Sequence, residues 1–154
     1  ISAHPFESRG LLHCVVAPGK GEPPLHCLNV HLGLFERGRE WQVRALCGRI
    51  RATVPDDAPL VIAGAFNDWR HRANRTLVDQ LGVVEVFEAV KGRPARTFPS
   101  VMPVFRLDRI YARGLDVVEA HVHCAFPAAR ISDHAALAAT FQTRVKRAAK
   151  RASA

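Results

Sequence analysis

Cysteine is scarce: four residues, at positions 14, 27, 47 and 124 of 154, and no CxxC pair among them. That spacing argues against a disulfide framework and against a thiolate zinc site, and the apolar surroundings of each predict small core hydrophobes in a reducing compartment. Long apolar runs are also missing. None approaches the roughly 18 residues that a membrane-crossing helix needs. No basic stretch followed by an apolar segment and a cleavage site opens the sequence, so a soluble, cytoplasmic chain is expected. Repeats and low-complexity tracts are absent, which argues against an array or a linker. Acid is in short supply, with 14 Asp and Glu against 22 Lys and Arg. An initiating methionine is lacking too, since the chain begins Ile1-Ser2-Ala3-His4-Pro5-Phe6, and the expectation is a chain whose first half lies elsewhere.

What is present suffices for one compact domain. A hydrophobic content of 48% over this length can bury a core of its own. The formal charge of +8 favours polyanions as partners, whether nucleic acid, phospholipid headgroups or phosphorylated small molecules. Part of that charge is concentrated in Arg144, Lys146, Arg147, Lys150 and Arg151, where charges alternate with alanines and build no apolar face. Residues 144–154 therefore read as a solvated basic tail, and residues 1–143 as the domain.

Local patterns predict a mixed order of strands and helices. Leu11 to Val16 and Leu25 to His31 are short apolar runs separated by the turn-forming Pro18 to Pro24, and they read as an antiparallel pair. Val43, Leu46 and Ile50 then recur at helical spacing, with Glu40 and Arg44 an i, i+4 pair on the solvent side, so residues 36–53 predict an amphipathic helix. Pro55 and Pro59 end it, and Leu60 to Ala63 reads as a strand covered on both faces. Asn74 to Gln80 predicts a second helix stopped by Gly82, and Val83 to Val90 a strand. Lys91 to Pro103 is proline-rich and irregular. Phe105 to Ala112, Val117 to His123 and His134 to Phe141 supply three further strands. Helix between strands implies layered α/β packing.

Four predicted strand ends carry polar groups, where side chains are exposed and rigidly held. They are Asn29-Val30-His31-Leu32, with Val30 inward and His31 outward; Gly64-Ala65-Phe66-Asn67-Asp68-Trp69; Leu107-Asp108-Arg109-Ile110; and Ile131-Ser132-Asp133-His134. Each has an ordinary role when taken singly. His31 could be a satisfied structural histidine, Asp108 an acid paired with Arg106 or Arg109, Asp133 a turn residue, and Asn67-Asp68 an Asx turn.

Taken in order, Asn29-Val30-His31-Leu32-Gly33, Gly64 to Trp69, Leu107 to Ile110 and Ser132-Asp133-His134 resemble the successive C-terminal motifs of the endonuclease/exonuclease/phosphatase superfamily, the group with the deoxyribonuclease-I-like fold. The resemblance covers roughly residues 7 to 141. After the first histidine its motifs are written GDFN, DRI and SDH, and the sequence departs from them at Ala65, which occupies the aspartate position. The resemblance implies an α/β layered β-sandwich flanked by helices, present here as the C-terminal half.

It also implies roles. His134 would pair with an acid and act as general base toward the attacking water, and His31 would contact the phosphate and assist on the leaving side. Asn67 would donate to a non-bridging oxygen. Asp108 would orient a histidine or assist a metal, and Asp133 would be a carboxylate ligand or a histidine partner. The cofactor implied is Mg²⁺ or Mn²⁺, hard cations suited to carboxylate and phosphate oxygen. Arg96 could grip a phosphate and Trp69 could stack on the substrate, although loop packing also explains both.

Two departures qualify the reading. The family's asparagine and metal-binding glutamate belong to an N-terminal half that this sequence does not contain, and Glu7 suits the entry to the first strand better than a metal site. The methyl of Ala65 cannot accept a hydrogen bond as an aspartate would, and loss of a positioned acid-base group costs about 10²- to 10⁴-fold in rate. The sequence thus predicts a metal-dependent hydrolase of phosphodiester or phosphomonoester bonds, impaired as written. The competing reading is a non-catalytic module that holds nucleic acid or another phosphate ligand. Pairing with a missing half, or self-association, is the expected answer to an uncovered sheet face.

Overall fold

The computed structural model describes residues 8–144, so Glu7 and the basic tail beyond Arg144 lie outside the described residues. Five strands form the central sheet, in the order β1 (Leu11–Val16), β2 (Leu25–His31), β3 (Leu60–Ala65), β5 (Asp108–Arg113) and β4 (Val84–Glu85). The β2–β3 pair is parallel and the others are antiparallel. A parallel pair needs a crossover, and helix α1 (Glu36–Thr53) supplies it. Helix α2 (Arg72–Leu81) follows β3, and the short α3 (Val86–Lys91) follows β4. Strands β6 (Leu115–His123) and β7 (Ala136–Thr143) make a separate antiparallel ribbon, joined by the one-turn α4 (Ala128–Ile131).

Alternation along the central strands builds two cores. Leu28, Val30, Leu60, Ile62 and Tyr111 point to one face and pack with Val43, Leu46 and Ile50 of α1 and Leu77 and Leu81 of α2. Val61, Ala63, Ile110 and Ala112 point to the other, against Val86 and Phe87 of α3 and the inner residues of the ribbon, among them Ala120, Leu137, Ala139 and Phe141. A sheet with α1 and α2 on one side and α3 with the β ribbon on the other is the mixed, layered arrangement that the sequence predicts.

Three expectations need correction. The strand predicted over Val83 to Val90 is a strand only at Val84–Glu85. The chain then turns into α3, because the Glu85 carboxylate caps it by accepting the Glu88 amide at 2.6 Å, and Gly92 ends it at φ 71°. Of the cysteines, only Cys47 is buried; Cys14 and Cys124 are exposed because their side chains fall outside both cores. Among the described residues no Glu40–Arg44 ion pair forms: Glu40 instead approaches Arg72 of α2 at 3.9 Å. No helix of the described residues is long and apolar enough to cross a membrane.

Candidate active site

Strand pairing sets the foundation. His31 is the register partner of Ala65 on one side, and Asp108 is the register partner of Ala65 on the other. Directly paired residues share a sheet face, so the Ala65 methyl stands between an imidazole and a carboxylate at the ends of three adjacent strands. His31 is exposed, as expected of the outward residue after buried Val30.

The backbone before Ala65 admits only glycine. Gly64 has φ +133°, and a Cβ there would lie 2.0 Å from the Val30 carbonyl oxygen. Close approach of β2 and β3 therefore depends on the absence of a side chain. The chain leaves the strand through Phe66, fully buried edge-to-face against Tyr111 at a ring separation of 5.1 Å.

Asn67 and Asp68 are both buried and both bound to backbone. Asn67 takes φ 52°, a left-handed conformation that asparagine tolerates better than most residues. Its Nδ2 donates to the Leu32 carbonyl at 2.8 Å, and its amide donates to Leu107 at 3.0 Å. One of the two side-chain N–H groups expected to face a phosphate is thus engaged in holding the strand ends together. Asp68 accepts the amides of Arg72, Ala73 and Asn74 at 3.2, 2.8 and 3.3 Å, which caps the free N–H groups that open α2.

The loop after His31 is fixed from α1. Gln42 Oε1 accepts the Gly33 amide at 2.8 Å, and Arg39 donates to the Leu34 carbonyl at 2.8 Å. The Arg39 guanidinium also lies 5.2 Å from the ring centre of Trp69, which is 47% exposed. Trp69 therefore presents one face to a buried cation and keeps much of its surface in solvent.

The chemistry-bearing contact joins strand ends far apart in sequence. His134 Nδ1 lies 2.7 Å from Asp108 Oδ2. A carboxylate can only accept, so Nδ1 carries the proton and donates it, which leaves the Nε2 lone pair available. The imidazole also leans on Phe98, with ring centres 5.1 Å apart. Of the alternatives open in the sequence, Asp108 pairs with His134, while Arg106 and Arg109 do not touch its carboxylate; the Asp133 side chain is exposed.

Two residues to which the sequence gives no role hold this pair. Thr97 is fully buried; its hydroxyl accepts the amides of Leu107 and Asp108 at 3.4 and 3.3 Å, and its carbonyl accepts the Ala135 amide at 2.7 Å. It thereby ties the backbone of Asp108 to the segment that carries His134. Ser100 extends the tie, its amide donating to the Asp133 carbonyl and its hydroxyl to the Ser132 carbonyl, each at 2.7 Å. Arg109, 1% exposed, sends its guanidinium to the carbonyls of Arg106, Asp108 and Asp68 and so joins the two loops from below. A basic residue inside a strand gives no sequence signal for such burial.

Behind Arg109, Glu85 is also buried, and its carboxyl is pushed up to about 7, chiefly by desolvation. The Glu88 amide and the Arg109 charge pull in the opposite direction and only partly offset it. Arg96 is exposed and lines a cavity between α3 and β6 together with Arg106.

A divalent cation needs several converging oxygen ligands. Among the described residues no group of three or more His, Cys, Asp or Glu could hold one. Asp68 is occupied by amides and Asp108 by His134, which leaves Asp133 as a single exposed carboxylate. The described residues do not by themselves fit the Mg²⁺ or Mn²⁺ site that the resemblance implies.

No family model matches the chain. Solved structures do: zebrafish (D. rerio) TDP2 complexed with single strand DNA product superposes with a TM-score of 0.69 and 23% identity, over 88% of this chain and 62% of that one. An endonuclease/exonuclease/phosphatase from Beutenbergia cavernae DSM 12333 gives a TM-score of 0.64 and 18% identity, over 88% of this chain and 39% of that one. The chain thus shares its fold with these structures, a mixed α/β arrangement of the deoxyribonuclease-I-like class. Among curated sequences it is similar to the uncharacterized protein YbhP of Escherichia coli (strain K12), 41% identical over 142 residues, which are 90% of this chain and 54% of that protein. The chain thus spans about half the length of the curated relatives it matches.

Proposed function

We propose that the chain carries the histidine-aspartate portion of a phosphoester-hydrolysing site in which Ala65 stands where a carboxylate would work. The observation that carries this reading is the 2.7 Å contact between His134 Nδ1 and Asp108 Oδ2, built at strand ends in register with Ala65 and His31. In this arrangement Asp108 fixes the tautomer of His134 and stabilises the imidazolium that forms. Nε2 of His134 then takes a proton from a water attacking phosphorus. His31, two strands away on the same face, contacts a phosphate oxygen or supplies a proton toward the leaving group. Asn67 contributes the N–H that its bond to Leu32 leaves over. Trp69 offers a partly exposed ring at the rim for stacking.

The bond class is phosphodiester or phosphomonoester. The dependence on Mg²⁺ or Mn²⁺ is proposed on the resemblance, with Asp133 as the ligand this chain would contribute. A binding module without turnover is the second reading, and the methyl of Ala65 is the observation that favours it.

Restoring the acid separates the two. In the full-length protein, Ala65→Asp is expected to raise hydrolysis of bis(p-nitrophenyl) phosphate or p-nitrophenyl phosphate by about 10²-fold or more, the scale of a positioned acid-base group. The comparison is made with Mg²⁺, with Mn²⁺ and with chelator. A folded Ala65→Asp protein no faster than the parent under all three conditions would rule out the hydrolase and leave the module.

A further inference from the structure

We propose that the cavity between α3 and β6 binds a small phosphate-bearing organic molecule at a place separate from the Asp108–His134 pair. The cavity measures ≈ 570 Å³, within the range of roughly 300 to 1,000 Å³ typical of small-molecule sites. Among the described residues four cations line it: Lys91 at the end of α3, Arg93 and Arg96 from the segment after it, and Arg106 just before β5. Among the described residues no Asp or Glu lines it.

Four like charges around one concavity repel each other, and an anion bound among them relieves that repulsion. None of the ion pairs found among the described residues uses any of the four. Among the described residues the Nε of Arg106 is buried and has no hydrogen-bond partner, so this side chain is not held by an internal bond at that atom. The nearby carboxylate of Glu119 is already engaged, by His121 Nε2 at 3.1 Å and by the Thr140 hydroxyl at 3.1 Å. His121 is itself a lining residue.

The rest of the lining is apolar, with Phe87 and Val122 among it, which suits the carbon skeleton of a ligand. Guanidinium groups match phosphate geometry with paired hydrogen bonds. The charges converge on one concavity and do not run as a stripe, which favours a single phosphorylated molecule over a nucleic-acid strand tracked along a groove.

The test titrates the ¹⁵N-labelled full-length chain with inorganic phosphate, AMP, glucose 6-phosphate, adenosine and a ten-residue oligonucleotide. AMP or glucose 6-phosphate is expected to shift the amides of Lys91, Arg93, Arg96, Arg106 and His121 saturably, and more tightly than inorganic phosphate; adenosine is expected to leave them in place. The Arg93→Gln/Arg106→Gln double variant should weaken binding about 10- to 100-fold, the scale of charge-assisted hydrogen bonds lost. Should the double variant not fold, the exposed Arg93→Gln alone should weaken it several-fold.

The proposal is overturned by any of several results: no saturable shift with either organophosphate, equal response to adenosine, inorganic phosphate binding as tightly as AMP, affinity unchanged in the folded variants, shifts centred on Asp108 and His134, or a response to the oligonucleotide alone. Because the readout is binding at 91–106 and not turnover, the outcome is independent of whether Ala65→Asp restores hydrolysis.

Discussion

The loop from Gly64 to Asp68 and the pair Asp108–His134 lie side by side at the same end of the sheet, yet they use their polar atoms in opposite ways. In the loop, Asn67 and Asp68 are buried, and Asp68 with the Asn67 amide nitrogens serves backbone groups of Leu32, Leu107 and the first turn of α2. In the pair, the side chains are about one-third and one-sixth exposed (30% and 17%) and bind each other, with one imidazole nitrogen left over. Motif residues of similar appearance therefore divide into those that build the strand ends and those that can do chemistry there. Substitutions should separate the two groups by what they damage.

The largest expected effect belongs to the pair. In the Ala65→Asp background, His134→Ala should lower phosphoester hydrolysis by about 10²- to 10⁴-fold, while chemical denaturation shows a stability change within about 1 kcal/mol. A variant that loses stability and keeps its rate would reverse the assignment. Next comes Gly64→Ala, where a methyl would overlap the Val30 carbonyl. It should cost more than about 4 kcal/mol or prevent folding, read from the denaturant midpoint; a near-neutral result would mean that β2 and β3 separate easily.

Glu85 gives a prediction in pH. Its carboxyl sits at about 7 in the folded chain against an ordinary 4.5, so between these values the folded state holds a proton that the unfolded state has lost. Stability should therefore fall as pH rises from 4.5 to 7, by up to about 3 kcal/mol. Glu85→Gln retains an oxygen for the Glu88 amide and should flatten that slope; an unchanged slope would move the titration to another group. The smallest effect is expected for Asp68→Ala, which uncaps α2 and should cost about 1–2 kcal/mol, visible in thermal melts. If Asp68→Ala instead removed the activity of the Ala65→Asp protein at unchanged stability, the division between the two groups would fail.

The same division governs what could be read in advance. Helix α1 was legible to its ends because Val43, Leu46 and Ile50 mark one face and Pro55 stops it. The helix after Val84 was not, because its apolar residues alternate well enough for a strand and its start depends on a glutamate cap. The candidate site was legible as a set of strand ends, while the choice of Asp108 as the partner of His134, 26 residues away, comes only from folding. The roles of Thr97 and Arg109 were silent for a related reason. Their work is done on backbone carbonyls and amides, and a sequence displays side chains alone.

The register of His31, Ala65 and Asp108 acts as a ruler. Neighbouring strands lie about 4.7–4.9 Å apart, and their hydrogen bonds leave little freedom to change that spacing. A side chain at position 65 is therefore held at a nearly fixed distance from both neighbours, whatever the loops around it do. One exchanged side chain can then add or remove a function at this point without any repositioning of the groups on either side.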